Sequence, residues 1–159
     1  MAELLSVGLD VGTTTTQMIL SRLQVENRAS SFAVPQMEIV SREILYESPI
    51  HFTPLLDGQR IDGSAIRSIV EKEYARAGIC REQVDTGAVI ITGETSRKEN
   101  AKAVLENLAG FAGEFVVTTA GPDLESVLAA KGAGAVEYAR ETGKRVLHMD
   151  IGGGTSNLA

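Results

Sequence analysis

The residues best suited to chemistry stand near the two ends of the chain. "DVGTTTTQ" (Asp10 to Gln17) and "DIGGGTSN" (Asp150 to Asn157) align residue for residue: Asp10 with Asp150, Gly12 with Gly152, Thr15 with Thr155. Val11 and Ile151 are both β-branched, and Thr16 and Ser156 both carry a hydroxyl. Such a pattern suits phosphate. Glycines let the backbone take positive φ and come close to a ligand. Successive N–H groups in such a turn form an anion-binding nest, to which Thr or Ser hydroxyls add donors. An Asp at the strand end cannot favourably touch phosphate, but it can hold Mg through the ion's water shell. The candidate phosphate-binding residues are therefore Gly12, Thr13, Thr14, Thr15, Gly152, Gly153, Gly154 and Thr155, with Asp10 and Asp150 as candidate metal ligands. Two such turns can grip a triphosphate chain from opposite sides of a cleft.

Read singly, each turn has a plainer explanation. "GTTTT" fits an ordinary β-turn, and "GGGTSNLA" fits a flexible tail. The Walker pattern Gly-x4-Gly-Lys-Ser/Thr is absent, so a P-loop is not the mechanism. Gly132-Ala133-Gly134 is no dinucleotide fingerprint either, because it sits inside helical periodicity. The case rests on two copies, each following an apolar run of strand character.

Composition bounds what else the chain can be. Its 159 residues are 43% hydrophobic and 23% charged, which describes one ordinary globular domain. Aromatics are only 4% and Trp is absent, so the core must rest on Val, Ile, Leu and Ala. The net charge of −6, with no Lys/Arg run longer than two, argues against nucleic acid as a partner. The lone Cys80 excludes an internal disulfide and a cysteine-built metal cluster, and is expected to be a buried or idle thiol. No basic leader opens the chain, and no stretch approaches the roughly twenty apolar residues of a membrane span. A soluble, cytoplasmic protein without membrane contact is expected.

The elements that must position the turns follow from periodicity. Leu4–Val11 and Thr16–Leu23 read as a hairpin, and Met37–Tyr46 as a third strand. Ser48 to Gly63 is expected to be irregular, with Asp57-Gly58 as a tight turn and Pro54 in an edge or loop. Ile66, Ile69, Val70 and Tyr74 mark a helix capped by Asp62 or Ser64 and stopped by Gly78. "AVIIT" (Ala88 to Thr92) reads as a strand buried on both faces. Ser96 and Glu99 form a capping box before a helix whose apolar face is Ala101, Val104, Leu105 and Leu108. "FVVT" (Phe115 to Thr118) is the next strand, Pro122 opens a helical stretch interrupted at Lys131–Ala135, and "KRVLHMDI" reads as a final strand. The order β-β-β-α-β-α-β-α-β implies a mixed α/β sheet, parallel in its second half. His148, two residues before Asp150, is most simply a sheet side chain.

These turns and this order resemble the actin-like ATPase superfamily: actin, sugar kinases and the heat-shock chaperone ATPases. The resemblance implies an RNase-H-like domain with a five-stranded mixed sheet, three antiparallel strands followed by parallel βα units with flanking helices. It makes residues 1–144 the first ATPase domain, with the phosphate 1 hairpin at 4–23. Residues 145–159 become the first strand and phosphate 2 turn of a second, truncated domain, and the adenosine pocket belongs to still later sequence. ATP and Mg are the implied cofactors. Asp10 is one implied catalytic carboxylate. A Glu at the start of the crossing helix positions water in the chaperone ATPases, and the matching stretch here points to Glu125. The Pro that usually follows that Glu is missing, and Glu94, after the "AVIIT" strand, is the runner-up. For both, an exposed helix-surface carboxylate is the competing reading. Gly132 and Gly134 fall where the crossing helix meets a hinge, with tight packing as the alternative.

Within the superfamily, "VGLDVGTTTTQMILSRL", "ITGETSRKENA" and "AGPDLESVLAAKGAGA" resemble the N-terminal third of the reactivating factors of ethanolamine ammonia-lyase. The resemblance implies a chaperone that hydrolyses ATP with Mg and releases damaged, adenosyl-less cobalamin from the lyase, so that adenosylcobalamin can rebind. The lyase with its damaged cobalamin is the implied partner, and this fragment alone is expected to be inactive. A homo-oligomer and association with a bacterial microcompartment stay compatible with the sequence. The competing readings are a small-molecule kinase and an actin-like structural ATPase on the same fold. An activator of iron–sulfur dehydratases shares the first turn but needs a cysteine-held cluster that the lone Cys80 does not support.

Overall fold

Alternating apolar residues in the first two runs give strands with one buried face. In the computed structural model these are β1 (Ala2–Val11) and β2 (Thr15–Asn27), paired antiparallel. The structure describes residues 2–29, 34–112, 115–153 and 155–159. β3 (Met37–Glu47) pairs antiparallel with β2, and β4 (His51–Phe52) pairs with the first residues of β2. β5 (Thr86–Thr92) lies parallel to β1, and β6 (Phe115–Ala120) lies parallel to β5. The sheet order is β3-β2-β1-β5-β6, with β4 beside β2. Parallel neighbours need crossovers. α1 (Gly63–Ala77) precedes β5, and α2 (Ala101–Ala112) joins β5 to β6. This is the expected mixed sheet. Its sixth strand arises because His51 and Phe52, inside the stretch expected to be irregular, pair with Thr16 and Thr15.

The core lies between one sheet face and two helices. Val7, Leu9 and Val11 of β1, Met18 and Leu20 of β2, and Val89 and Ile91 of β5 are buried there. They meet Ile66, Val70 and Tyr74 of α1 and Ala101, Val104, Leu105 and Leu108 of α2. Each fully buried aliphatic side chain of this kind contributes about 1.5–3 kcal/mol. α1 begins where expected, with Asp62 accepting from the Ala65 N–H at 2.9 Å, and ends at Gly78. At the Asp57 turn, the Gln59 and Arg60 N–H groups donate to the Asp57 carboxylate.

Four expectations change. β5 is not buried on both faces: Gly87, Val89 and Ile91 are buried, while Ala88 and Ile90 are half-buried. The buried set faces α1 and α2, which cover a single face. The Ser96–Glu99 capping box does not form. Ser96 Oγ donates to the Gly93 carbonyl at 2.7 Å within a 3-10 turn, Gly93–Arg97, and α2 starts only at Ala101. Asn100 instead bonds both backbone groups of Ile61, tying the entrance of α2 to that of α1. Cys80 is exposed. The final strand is much shorter than its apolar run.

After β6 come α3 (Pro122–Gly132) and α4 (Ala135–Thr142), separated at Gly134 with φ +76°. β7 (Met149–Ile151) then pairs antiparallel with β8 (Ser156–Leu158), a small sheet of its own. His148 and Ala159 extend this pairing by exchanging backbone bonds of 2.9 and 3.1 Å. His148 thus takes a sheet position, and its Nδ1 is buried with no partner among the described residues.

Candidate phosphate and metal site

The two aligned motifs fold as the same hairpin. In the first, Asp10 pairs with Gln17 and Val11 with Thr16; in the second, Asp150 pairs with Asn157 and Ile151 with Ser156. The closing bond also recurs: Gly12 N–H donates to the Thr15 carbonyl at 2.8 Å, and Gly152 N–H to the Thr155 carbonyl at 2.9 Å. A repeat legible as letters is therefore a repeat in register and turn geometry.

The hairpin tips face each other. A Cβ on Gly153 would lie 2.8 Å from Thr14 Cβ, so the tips touch and only glycine fits there. Together they line a small cleft of about 80 Å³. Gly12, Thr13, Thr14 and Thr15 form one wall, and Gly152, Gly153 and Thr155 the other. Gly154 lies outside the described residues.

Three carboxylates share the cleft: Asp10 at the end of β1, Asp150 in β7 and Glu125 in the first turn of α3. Glu125 is aimed by a bond from the Gly93 N–H to its Oε2 at 3.1 Å. Thr92 Oγ1 donates to Asp10 Oδ1 at 3.1 Å. Although the surface of Asp10 is open, protein atoms crowd its carboxyl. That desolvation raises its pKa to about 6; the Thr92 bond opposes the shift, and the charges of Glu125 and Asp150 add to it. Among the described residues, no group of three or more His, Cys, Asp or Glu side chains could hold a metal ion. The carboxylates converge on shared space without caging it, which suits a hydrated Mg ion better than a dehydrated one.

The first turn is also held from behind. Thr53 Oγ1 and Thr95 Oγ1 both donate to the Gly12 carbonyl, at 2.9 and 3.0 Å. Thr53 N–H donates to the Thr14 carbonyl at 2.8 Å. Gly93 has φ +59°, and a Cβ there would collide with Thr13 Oγ1, so the 3-10 turn can pack against the tip only with glycine.

The structure thus brings Asp10, Gly12, Thr13, Thr14, Thr15, Glu125, Asp150, Gly152, Gly153 and Thr155 to one cleft. Glu94 belongs to the adjoining 3-10 turn, and its side chain lies outside those described. Sequence reasoning missed Thr92 and Gly93, which also line the cleft, and Thr53 and Thr95 behind it. Only Gly93, at the end of an apolar strand, carried a local signal.

A family model described as "Ethanolamine utilisation protein EutA" matches residues 2–159. The chain is 47% identical over 157 residues, 99% of its length, to proteins named ethanolamine ammonia-lyase reactivase EutA from Salmonella typhimurium and Escherichia coli. It spans 34% of the length of each of these curated relatives. Among solved structures it is similar to the Ppx/GppA family member of Aquifex aeolicus, with a TM-score of 0.62 and 17% identity. That match covers 98% of this chain and 46% of the other. An exopolyphosphatase from Cytophaga hutchinsonii gives a TM-score of 0.59 at 16% identity, over 99% of this chain and 46% of the other. These structural likenesses concern the fold, which is of the actin-like ATPase type. No helix of the described residues is long and apolar enough to cross a membrane. With a family match running from residue 2 to residue 159, the chain belongs to the EutA family of ethanolamine utilisation proteins.

Proposed function

We propose that the protein carrying this chain is an ATP-dependent reactivase of ethanolamine ammonia-lyase, releasing damaged cobalamin so that adenosylcobalamin can rebind. The observation that carries this reading is the pair of hairpins with one register and one closing bond, facing each other over three carboxylates. The names of the curated relatives supply the partner.

In this reading residues 1–144 are the first ATPase domain, and residues 145–159 are the first strand and phosphate turn of a second. Gly12 to Thr15 and Gly152 to Thr155 bind the phosphate chain through backbone N–H groups and hydroxyls. Asp10 and Asp150 would hold Mg, which would neutralise charge on the phosphates. Glu125, steadied by the Gly93 N–H, orients the attacking water, with Glu94 as the alternative. Work takes place in the cytoplasm, in contact with the lyase.

The test is ATP-dependent recovery of cyanocobalamin-blocked ethanolamine ammonia-lyase by the full-length protein with Mg. Recovery that needs ATP and disappears in Glu125→Gln is the expected result. Absence of recovery with the wild-type protein overturns the proposal.

A further inference from the structure

In an ordinary β-turn the fourth residue's N–H bonds the first residue's carbonyl. The Gly12–Thr15 turn does not make that bond. Its Gly12 N–H donates to the Thr15 carbonyl, while the Gly12 carbonyl is taken by two side-chain hydroxyls. One hydroxyl is Thr53, placed behind the tip by the pairing of His51 and Phe52 with Thr16 and Thr15. The other is Thr95, carried there by the 3-10 turn after β5. Both residues are buried, Thr95 completely, and neither lines the cleft.

Proton accounting extends the arrangement. A threonine hydroxyl has one proton to donate. The Thr53 proton goes to Gly12, so in the 3.0 Å contact between Thr16 Oγ1 and Thr53 Oγ1 the donor is Thr16. Two threonines from two parts of the chain therefore donate to one carbonyl, and a third, Thr16, donates to one of them. A carbonyl oxygen has two lone pairs, and both are used.

The consequence lies across the peptide plane. In a trans peptide the C=O and the following N–H point in opposite directions, and the described chain has no cis bond. With the Gly12 carbonyl held toward Thr53 and Thr95, the Thr13 N–H is turned the other way. The turn that carries this peptide, Gly12 to Thr15, lines the cleft. We infer that Thr53 and Thr95 are positioning residues for phosphate: by holding the Gly12 carbonyl they fix the shape of the turn that lines the cleft, and so the N–H groups it offers to the bound anion. The inference rests on the reading of this cleft as a nucleotide-phosphate site. It adds the residues that organise the site without touching the ligand.

The test uses the full-length protein, calorimetric titration with ATP and Mg, and thermal unfolding of each variant. Thr53→Val and Thr95→Val keep the shape and remove the hydroxyl; Thr53→Ser and Thr95→Ser keep the hydroxyl. Each Val variant is expected to bind ATP about tenfold more weakly while still folded, and each Ser variant to stay within about threefold of wild type. Val variants that bind like wild type overturn the inference. So do Ser variants that lose as much as Val, or Val variants that no longer fold, since the hydroxyls would then serve the fold rather than the turn. Wild-type protein that binds no ATP removes the phosphate reading itself, a different result from intact binding that ignores these hydroxyls.

Discussion

Asp10 offers a direct test of whether the cleft is built to receive a cation. Asp10→Asn keeps an oxygen that can accept the Thr92 hydroxyl and removes one of three crowded negative charges. Desolvation, with Glu125 and Asp150 adding to it, raises the Asp10 carboxyl from an ordinary 3.8 to about 6. A raised carboxyl holds its proton more tightly in the folded chain than in the unfolded one. Its contribution to stability is complete below pH 3.8 and is lost as pH rises through about 6, so ionised Asp10 is a burden near neutrality. A shift of this size corresponds to at most about 3 kcal/mol. The residue's surface is open, so solvent screening reduces the effect to about 1 kcal/mol. Asp10→Asn should therefore stabilise the ligand-free chain by about 1 kcal/mol near pH 7.5, with the gain fading toward about pH 4. Urea unfolding at a series of pH values measures this. A variant less stable than wild type near neutrality, or a gain that does not depend on pH, refutes the reasoning. Added Mg should raise the wild-type midpoint and leave the variant's unchanged.

Two further outcomes test other contacts. Gly153→Ala places a methyl against Thr14 and should weaken ATP binding by the full-length protein about tenfold, as read by titration calorimetry. Glu73→Ala removes a carboxylate whose side chain is fully buried and which accepts from Tyr46, His51 and Arg76 at 2.6, 3.0 and 2.6 Å. The expected loss is about 3 kcal/mol in urea unfolding. Desolvation alone would raise the Glu73 carboxyl, but these partners hold it below its ordinary 4.5. Its stabilisation is therefore present above that pH and is lost as pH falls through the folded value, so the gap between wild type and variant should narrow there.

The parts of the site legible in the sequence are those that repeat. Two Asp-apolar-Gly patterns at matched spacing identified both turns, because glycine and hydroxyl requirements are local; the strand Ser156–Leu158 that completes the second hairpin was not foreseen. The order of strands and helices was legible from periodicity, and with it the mixed sheet. What stayed hidden depends on distance. Thr53 and Thr95 act on a carbonyl 41 and 83 residues away, and no spacing rule links an isolated threonine to such a partner. The two-residue strand before Thr53 is too short for any alternation to show. The capping box at Ser96 failed because a Ser-x-x-Glu pattern does not exclude a 3-10 turn, and Ser96 bonds inside that turn instead. "AVIIT" was read as buried on both faces because its composition is uniform, whereas the exposure of Ala88 and Ile90 depends on where the helices pack.

The contact between Gly153 and Thr14 also has a mechanical meaning. In the proposed reading a bound phosphate chain lies between two tips that touch at Gly153 and Thr14 in this structure. The first hairpin continues into the large sheet, whereas the second is itself the whole of the small one, so the two tips belong to separate sheets. The glycine that permits contact thus sets the smallest spacing the two tips can take.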